Sequence, residues 1–271
     1  MWNKLFSPFK QFGVFAGGLY AADQVLRRLS PKFGIYVYEM MVQPIGGKRL
    51  LPVNRAKNLI FAEIGQGHPA IEIMPARPDI KEARFKQGAF CLGVFRREKL
   101  IGYAWFCSHT YEEDEVRCTY ELAVSDQSVF DFDFYIFPEH RMGIAFLAVW
   151  HGANEYLRAR NIRYTFSRLT RFNLASRRAH AHLGSKCVGR ALFFQAWRVQ
   201  LMLATLSPFI YLSWSENHRP RLRLWPDKLM LTELVPPPIC TGSNDELHAK
   251  QVHQIHNSDN ETQILAESHS K

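Results

Sequence analysis

The sequence has no Cys-x-x-Cys pair, and its five cysteines, at positions 91, 107, 118, 187 and 240, are odd in number. That argues against a thiolate zinc site and against a complete disulfide framework, and it fits a reducing cytoplasmic setting. No stretch approaches the ~20 uninterrupted apolar residues of a spanning helix, so an integral membrane protein is not expected. Acid is scarce: 25 Asp and Glu stand against 34 Lys and Arg, a formal charge of +9. This balance admits nucleic acid, an anionic membrane surface or a polyphosphate ligand without choosing among them. From Pro236 onward aromatic residues are absent. A segment of that composition buries too little to order itself, so residues 236–271 read as a disordered polar tail, and its four histidines as polar residues rather than a metal site.

What remains is apolar enough for a large core: 47% of the residues are hydrophobic and 13% aromatic. Residues 1–32 read as an amphipathic helical segment interrupted around Gly17-Gly18, with Phe6, Phe9, Phe12, Phe15, Leu19, Leu26 and Leu29 set among Lys4, Lys10, Arg27 and Arg28. It either packs on the domain or makes peripheral membrane contact through residues 1–30. The stretch FGVFAGGLYAA has the length of a signal-peptide apolar region, but its glycines and the cysteine pattern speak against export.

Residues 33–235 form the expected main domain. A first strand spans Phe33 to Val42, followed by a loop-rich segment through Pro78 with short helical stretches, and a brief helix runs from Asp79 to Gln87. AFCLGVFRR and LIGYAWFCSHT flank Glu98-Lys99 as a hairpin. Tyr111 is followed by the densest acidic run, Glu112, Glu113, Asp114 and Glu115. It is either a solvated turn or a cluster that holds a cationic amine. Next, VFDFDFYIF alternates with period two: Phe130, Phe132, Phe134 and Ile136 on one face; Asp131, Asp133, Tyr135 and Phe137 on the other.

Pro138 ends this strand, and Glu139 through Ala145 turn into a helical pattern carrying Phe146, Leu147, Trp150, Ala153 and Leu157. The open amides of such a helix start, with Gly143 allowing close backbone approach and Arg141 adding charge, form a cradle for a phosphate or pyrophosphate. A second strand follows at Ile162 to Leu169, and Asn173-Leu174-Ala175-Ser176 opens a short helix closing at Leu183-Gly184. CVGRALFFQ and AWRVQLMLATL then read as paired strands.

The turn His140-x-x-Gly143-x-Ala145 and the later NLASRRAHAHLG resemble the acyl-CoA-binding signature and the Asn-x-x-Ala/Ser helix of the Gcn5-related N-acetyltransferase (GNAT) superfamily. The resemblance covers residues 89 to 206. Histidine stands at 140 where Gln or Arg is usual, and the turn is one residue shorter than the common form. His180 takes the place of a frequent tyrosine, and Ser185 that of an aromatic residue.

The resemblance implies an α+β fold, with a mixed, mainly antiparallel sheet splayed at its centre and flanked by helices. It implies acetyl-CoA or another acyl-CoA as donor, a small-molecule or peptide amine as acceptor, direct attack in a ternary complex, and no metal. Phe137, His140, Arg141, Met142, Gly143, Ile144, Ala145, Asn173 and Ser176 are then the cofactor-binding candidates. Asp131 is the favoured base with Asp133 second, and His180 is the acid with Tyr135 in reserve. The rival reading is a non-catalytic module of the same fold that uses its basic surface for nucleic acid or anionic membrane. Aromatic residues on core-like faces make nucleic acid the less expected partner.

Overall fold

The computed structural model describes Phe9 and residues 12–47 and 49–226. The readings placed on Lys4, Phe6 and Lys10 and on the 236–271 tail lie outside the described residues. The fold is α+β, with nine strands in one mixed, mostly antiparallel sheet.

In chain order the elements are α1 (Val14–Leu29), β1 (Phe33–Pro44), α2 (Val53–Ala56), β2 (Ile60–Ile64), α3 (Pro78–Lys86), β3 (Phe90–Arg96), β4 (Lys99–Ser108), β5 (Thr110–Glu112), β6 (Thr119–Leu122) and β7 (Ser128–Ile136). They continue with α4 (Ala145–Arg158), β8 (Tyr164–Thr170), α5 (Leu174–His182), β9 (Lys186–Ala196), β10 (Val199–Ala204), β11 (Ile210–Ser213) and β12 (Arg221–Leu224). The large sheet runs β11-β10-β9-β1-β8-β7-β4-β3-β2, and a small one runs β12-β6-β5. Within the large sheet only β7 and β8 are parallel.

The hairpin of β3 and β4 closes on Arg97 and Glu98, both at positive φ, the geometry of a two-residue primed turn. The first strand, rich in β-branched and aromatic residues, is no edge: β1 sits between β8 and β9. The segment before Pro78 departs from the loop expectation, because Ile60–Ile64 pairs along β3 as the sheet's last strand. A five-residue run with a single buried side chain carries too little periodicity to announce itself. β5, β6 and β12 were likewise not anticipated as a sheet of their own.

The sheet has two covered faces. On one, α4 packs Ala148, Val149, Trp150 and Leu157 against Phe106, Ile101 and Val129. On the other, Tyr111 and Tyr120 stack on Phe130 at 5.0 and 4.9 Å, and the small sheet lies over them. Such offset aromatic pairs add stabilisation beyond the area they bury.

The period-two reading of β7 holds only for its first half. Tyr103 pairs with Tyr135 and Trp105 with Phe132, so β7 carries one residue more than β4 over this interval. That extra residue is a bulge with Asp133 at φ 46. Phe134 is thereby turned to the helix side, stacked on Trp150 at 5.6 Å, while Phe130 and Phe132 face the small sheet. Asp131 and Asp133 consequently do not share one polar face.

The contact of α4 with the sheet edge is tight at Gly152, where an added Cβ would lie 2.1 Å from Phe61 Cδ1. Gly152→Ala is expected to lower stability by about 1–3 kcal/mol in urea unfolding. Combining it with Phe61→Leu should restore most of that loss. Full additivity in the double mutant would show that the two side chains are not in competition.

Candidate active site

The site is organised by the separation of β7 from β8. Their parallel pairing covers Ser128–Asp131 against Tyr164–Ser167 and ends there. Further along, β7 pairs only with β4, and β8 only with β1. The edges of β7 and β8 that face each other past this point have no ladder partner, leaving backbone groups that a ligand can satisfy.

Asp131 is the last paired residue on β7. It is 4% exposed, and its Oδ2 has no hydrogen-bond partner among the described residues. Burial pushes its carboxyl up to about 8, with the Thr165 hydroxyl opposing. Asp133, displaced by the bulge, forms an ion pair with Arg84. Its charge is therefore already matched, which weakens its standing as a base. Tyr135 is half-buried, stacked on Tyr103 at 5.6 Å with the Arg141 guanidinium 5.5 Å from its ring.

His180, on α5, is 3% exposed and sits edge-on to Trp150 with ring centroids 5.5 Å apart. Burial lowers its pKa to about 4, and its Nδ1 has no partner among the described residues. It is a neutral imidazole at pH 7. Any proton it delivers comes from a neutral N–H.

The acidic run is not a solvated turn. Glu113 is buried and accepts hydrogen bonds from Arg168 Nε and Nη2 at 2.7 and 2.8 Å. Asp114 pairs with Arg84 at 2.9 Å, and Glu115 takes both Arg168 at 2.9 Å and the Tyr38 hydroxyl at 2.6 Å. Burial alone would raise Asp114, yet the Arg84 hydrogen bond holds its carboxyl below the usual value. Burial raises Glu113 although Arg168 opposes it. Three of the four carboxylates are thus matched by arginine, and Glu112 alone of the run is both exposed and outside this network.

The role of Arg84 was not legible in advance. The available signal was Lys81 and Arg84, three apart on α3 and both buried, in a helix with no apolar stripe to explain its docking. Lys81 Nζ donates to Ile71 O at 2.6 Å, and Arg84 reaches both Asp114 and Asp133.

The turn after β7 runs through Phe137, Pro138, Glu139 and His140 before α4 begins. Phe137 packs edge-on to Tyr135 at 5.3 Å. The N-terminus of α4 has no side-chain cap and no acidic residue in its first turn, so its leading amides are open. A cavity of about 250 Å³ borders it, lined by Arg96, Glu139, His140, Met142, Gly143 and Ala145 among others, with Ile144 at the N-cap. His140 Nε2 is buried without a partner among the described residues.

Arg141 donates through Nε to Ile136 O at 3.0 Å, and Met142 is fully exposed. The Gly143 amide is already bonded to His140 O at 3.2 Å, so it is not one of the open donors. Nothing within the protein requires glycine there: a Cβ would meet only His140 O at an ordinary 3.6 Å. Asn173 and Ser176 stand at the start of α5, where Asn173 Oδ1 accepts from Ser176 N at 3.0 Å as an N-cap.

These features fit a phosphate-bearing ligand at the α4 N-terminus. Open helix amides, an unpartnered imidazole nitrogen and a side-chain-free position are present, and Glu139 is the one carboxylate among the named lining residues. Among the described residues there is no group of His, Cys, Asp or Glu that could hold a metal ion. No helix among them is long and apolar enough to cross a membrane.

No protein-family model matches the chain, and no curated protein sequence matches it either. Among solved structures it is similar to a tandem GNAT protein from the clavulanic acid biosynthesis pathway, at 14% identity over 60% of this chain and 53% of that one, with a TM-score of 0.42. It is also similar to a Gcn5-related glucosamine N-acetyltransferase region of a fungal multi-domain β-N-acetylglucosaminidase (10% identity, 65% and 23% coverage, TM-score 0.42). A third is a functionally unknown conserved protein from Staphylococcus epidermidis ATCC 12228 (13% identity, 62% and 63% coverage, TM-score 0.40). The chain spans under two thirds of the length of each of these structures. The likeness concerns the fold, and neither activity nor substrate follows from it.

The buried carboxyl of Asp131 has a sign that can be tested. With a folded pKa of about 8 against 3.8 for the free group, the folded state holds a proton that the unfolded state releases. Stability therefore falls as pH rises from about 4 toward 8 and levels off above. Asp131→Asn should remove this dependence, raising Tm at pH 8 relative to wild type by more than at pH 4. A Tm difference that is the same at both pH values would mean that Asp131 ionises normally in the folded protein.

Proposed function

We propose that the protein is an acyl-CoA-dependent N-acyltransferase acting on a primary amine. The observation that carries this reading is the opening between β7 and β8, which begins at a buried carboxyl, Asp131, on a strand that leads into an uncapped helix N-terminus. A long, thin ligand with a polyphosphate end matches that layout. The unpaired strand edges would satisfy amide groups along its length, and the α4 amides with Arg141 would take the phosphates.

Bound acyl-CoA supplies an acyl group activated as a thioester. The protein's own part is to orient it and to move protons. A protonated amine must lose a proton to attack, and Asp131 Oδ2 is the open acceptor at the closed end of the gap, reached directly or through one water. With its pKa near 8, its base form gains population through the mildly alkaline range. His180 and Tyr135 are the candidates to return a proton to the departing sulfur, His180 as a neutral imidazole. Asp133 and the run Glu113 to Glu115 have a second assignment in this reading: through Arg84 and Arg168 they shape the gap on the side facing the small sheet. Glu112 remains the exposed carboxylate for a cationic acceptor.

Two measurements test this. Because a side chain at 143 has room in the free protein, Gly143→Asp should fold normally yet lose the thermal shift induced by acetyl-CoA or free CoA. A retained shift would put the cofactor elsewhere. In parallel, a nucleic-acid oligomer in the same melting panel separates the non-catalytic reading, since only a ligand of the native state raises Tm.

For the chemical step, kcat/KM of wild type should rise as pH passes about 8, following Asp131. Asp131→Asn should lower turnover about 10² or more, with partial recovery at higher pH where more amine arrives deprotonated. Equal rates for the two proteins across the pH range would remove Asp131 from the reaction.

A further inference from the structure

A second cavity, of about 500 Å³, lies under the N-terminal half of α1, far along the sheet from the α4 turn in strand order. Its roof is Phe12, Val14, Phe15 and Leu19, and its floor includes Val37, Leu192 and Leu203. These three floor residues stand directly opposite one another across β1, β9 and β10, and Ile210 on β11 extends the row. Ile210 is 68% exposed, and Phe15 at the roof is 77% exposed, so an apolar track leaves the cavity for solvent. The C-terminal half of α1 is tied to β1, where Asp23 accepts the Ile35 amide at 2.8 Å and pairs with Arg27.

Two rungs along from the Val37–Leu192 pair, on the same face, the chemistry changes, because Glu39 pairs with Arg190. Glu39 is 4% exposed and is surrounded by three guanidiniums: Arg177 at 2.8 Å, Arg171 at 3.4 Å and Arg190 at 3.7 Å. Three positive charges around one carboxylate leave an excess of two within this group. Only Arg177 holds Glu39 at a short distance, whereas Arg171 and Arg190 are looser and both line the cavity.

We propose that this cavity binds a single acyl or alkyl chain with an anionic head group. The chain lies on the Val37–Leu192–Leu203 row, and the head meets Arg171 and Arg190. The volume falls in the range of small-molecule sites, and the apolar row ending beside excess cationic charge specifies an amphiphile rather than a plain anion or a neutral hydrocarbon. Free fatty acids and the lipids of an anionic membrane share this chemistry.

The test uses the full chain and dodecyl phosphate below its micellar concentration, titrated by calorimetry. Saturable binding at one site is expected, with inorganic phosphate and dodecanol each at least tenfold weaker. Arg190→Gln, whose side chain is 61% exposed, and Arg171→Gln should each weaken binding about tenfold, the loss typical of one hydrogen bond to a charged group. Ala204→Phe should block it by filling the cavity, and if that variant folds poorly, the half-exposed Leu203→Asp tests the same floor.

Sedimentation with phosphatidylglycerol and phosphatidylcholine vesicles distinguishes the sources. Capture by phosphatidylglycerol alone, lost in Arg190→Gln, with no binding of monomeric dodecyl phosphate assigns the site to a membrane lipid. Binding of the monomer without vesicle capture assigns it to a free amphiphile. Neither ligand binding, equal affinity of wild type and Arg190→Gln, or equal affinity for inorganic phosphate would overturn the proposal. The acetyl-CoA thermal shift should be the same in wild type and Arg190→Gln, so failure here is separable from failure of the acyltransferase reading.

Discussion

The structure depends on two arginines, Arg84 buried and Arg168 half-buried, placed where a parallel strand pair comes apart. Arg168 leaves β8 just past the last residue paired with β7 and meets Glu113 and Glu115; Arg84, from α3, meets Asp133 and Asp114. Among the four carboxylates only Glu113 is fully buried, and removing Arg168 would leave that charge inside without compensation, at a cost of up to about 3–5 kcal/mol. Glu113 to Glu115 follow β5 directly, and Arg219 reaches the Glu113 carbonyl at 3.1 Å from just before β12. The same charges that line the opening therefore also fix the small sheet against the large one.

This arrangement explains which parts of the sequence were legible. Elements with a strong local signature lie close to where the sequence puts them: α1 from its amphipathic stripe, although it runs unbroken through Gly17-Gly18 where an interruption is expected, because the flanking turns of the helix carry it across; the β3–β4 hairpin from its apolar runs; α4 after Pro138; and α5 from the Asn173 cap. Each is decided by neighbours a few residues away. The position of β1 between β8 and β9 is decided by pairing across more than a hundred residues of chain. No local pattern contains that information. The acidic run misled for the same reason, since its partners Arg84 and Arg168 lie 30 and 55 residues from it. The bulge failed differently: one inserted residue in β7 reverses every later side chain, and alternation alone carries no mark of an insertion.

The site shows a corresponding division. The open start of α4 could be read from the residues around Gly143 because uncapped helix amides are a property of local backbone. Proton chemistry could not, because Asp131 and Asp133 have the same residue type and nearly the same sequence context. What separates them is that the bulge delivers Asp133 to Arg84, whereas Asp131 keeps its register toward the helix side and finds no matching charge.

A carboxyl buried without a charge partner lowers the stability of the fold at neutral pH, and an amide would occupy the same space without that penalty. Packing therefore gives no reason for aspartate at 131. Trp150 Nε1, Asn154 Oδ1 and His180 Nδ1, on the helices α4 and α5, are also buried without a hydrogen-bond partner among the described residues. A core selected for stability alone would be apolar at these positions or would pair these groups with one another. A buried polar group left open is what a ligand or an ordered water would satisfy, and Asp131 is the one of these groups that stands at the last rung of the β7–β8 pairing.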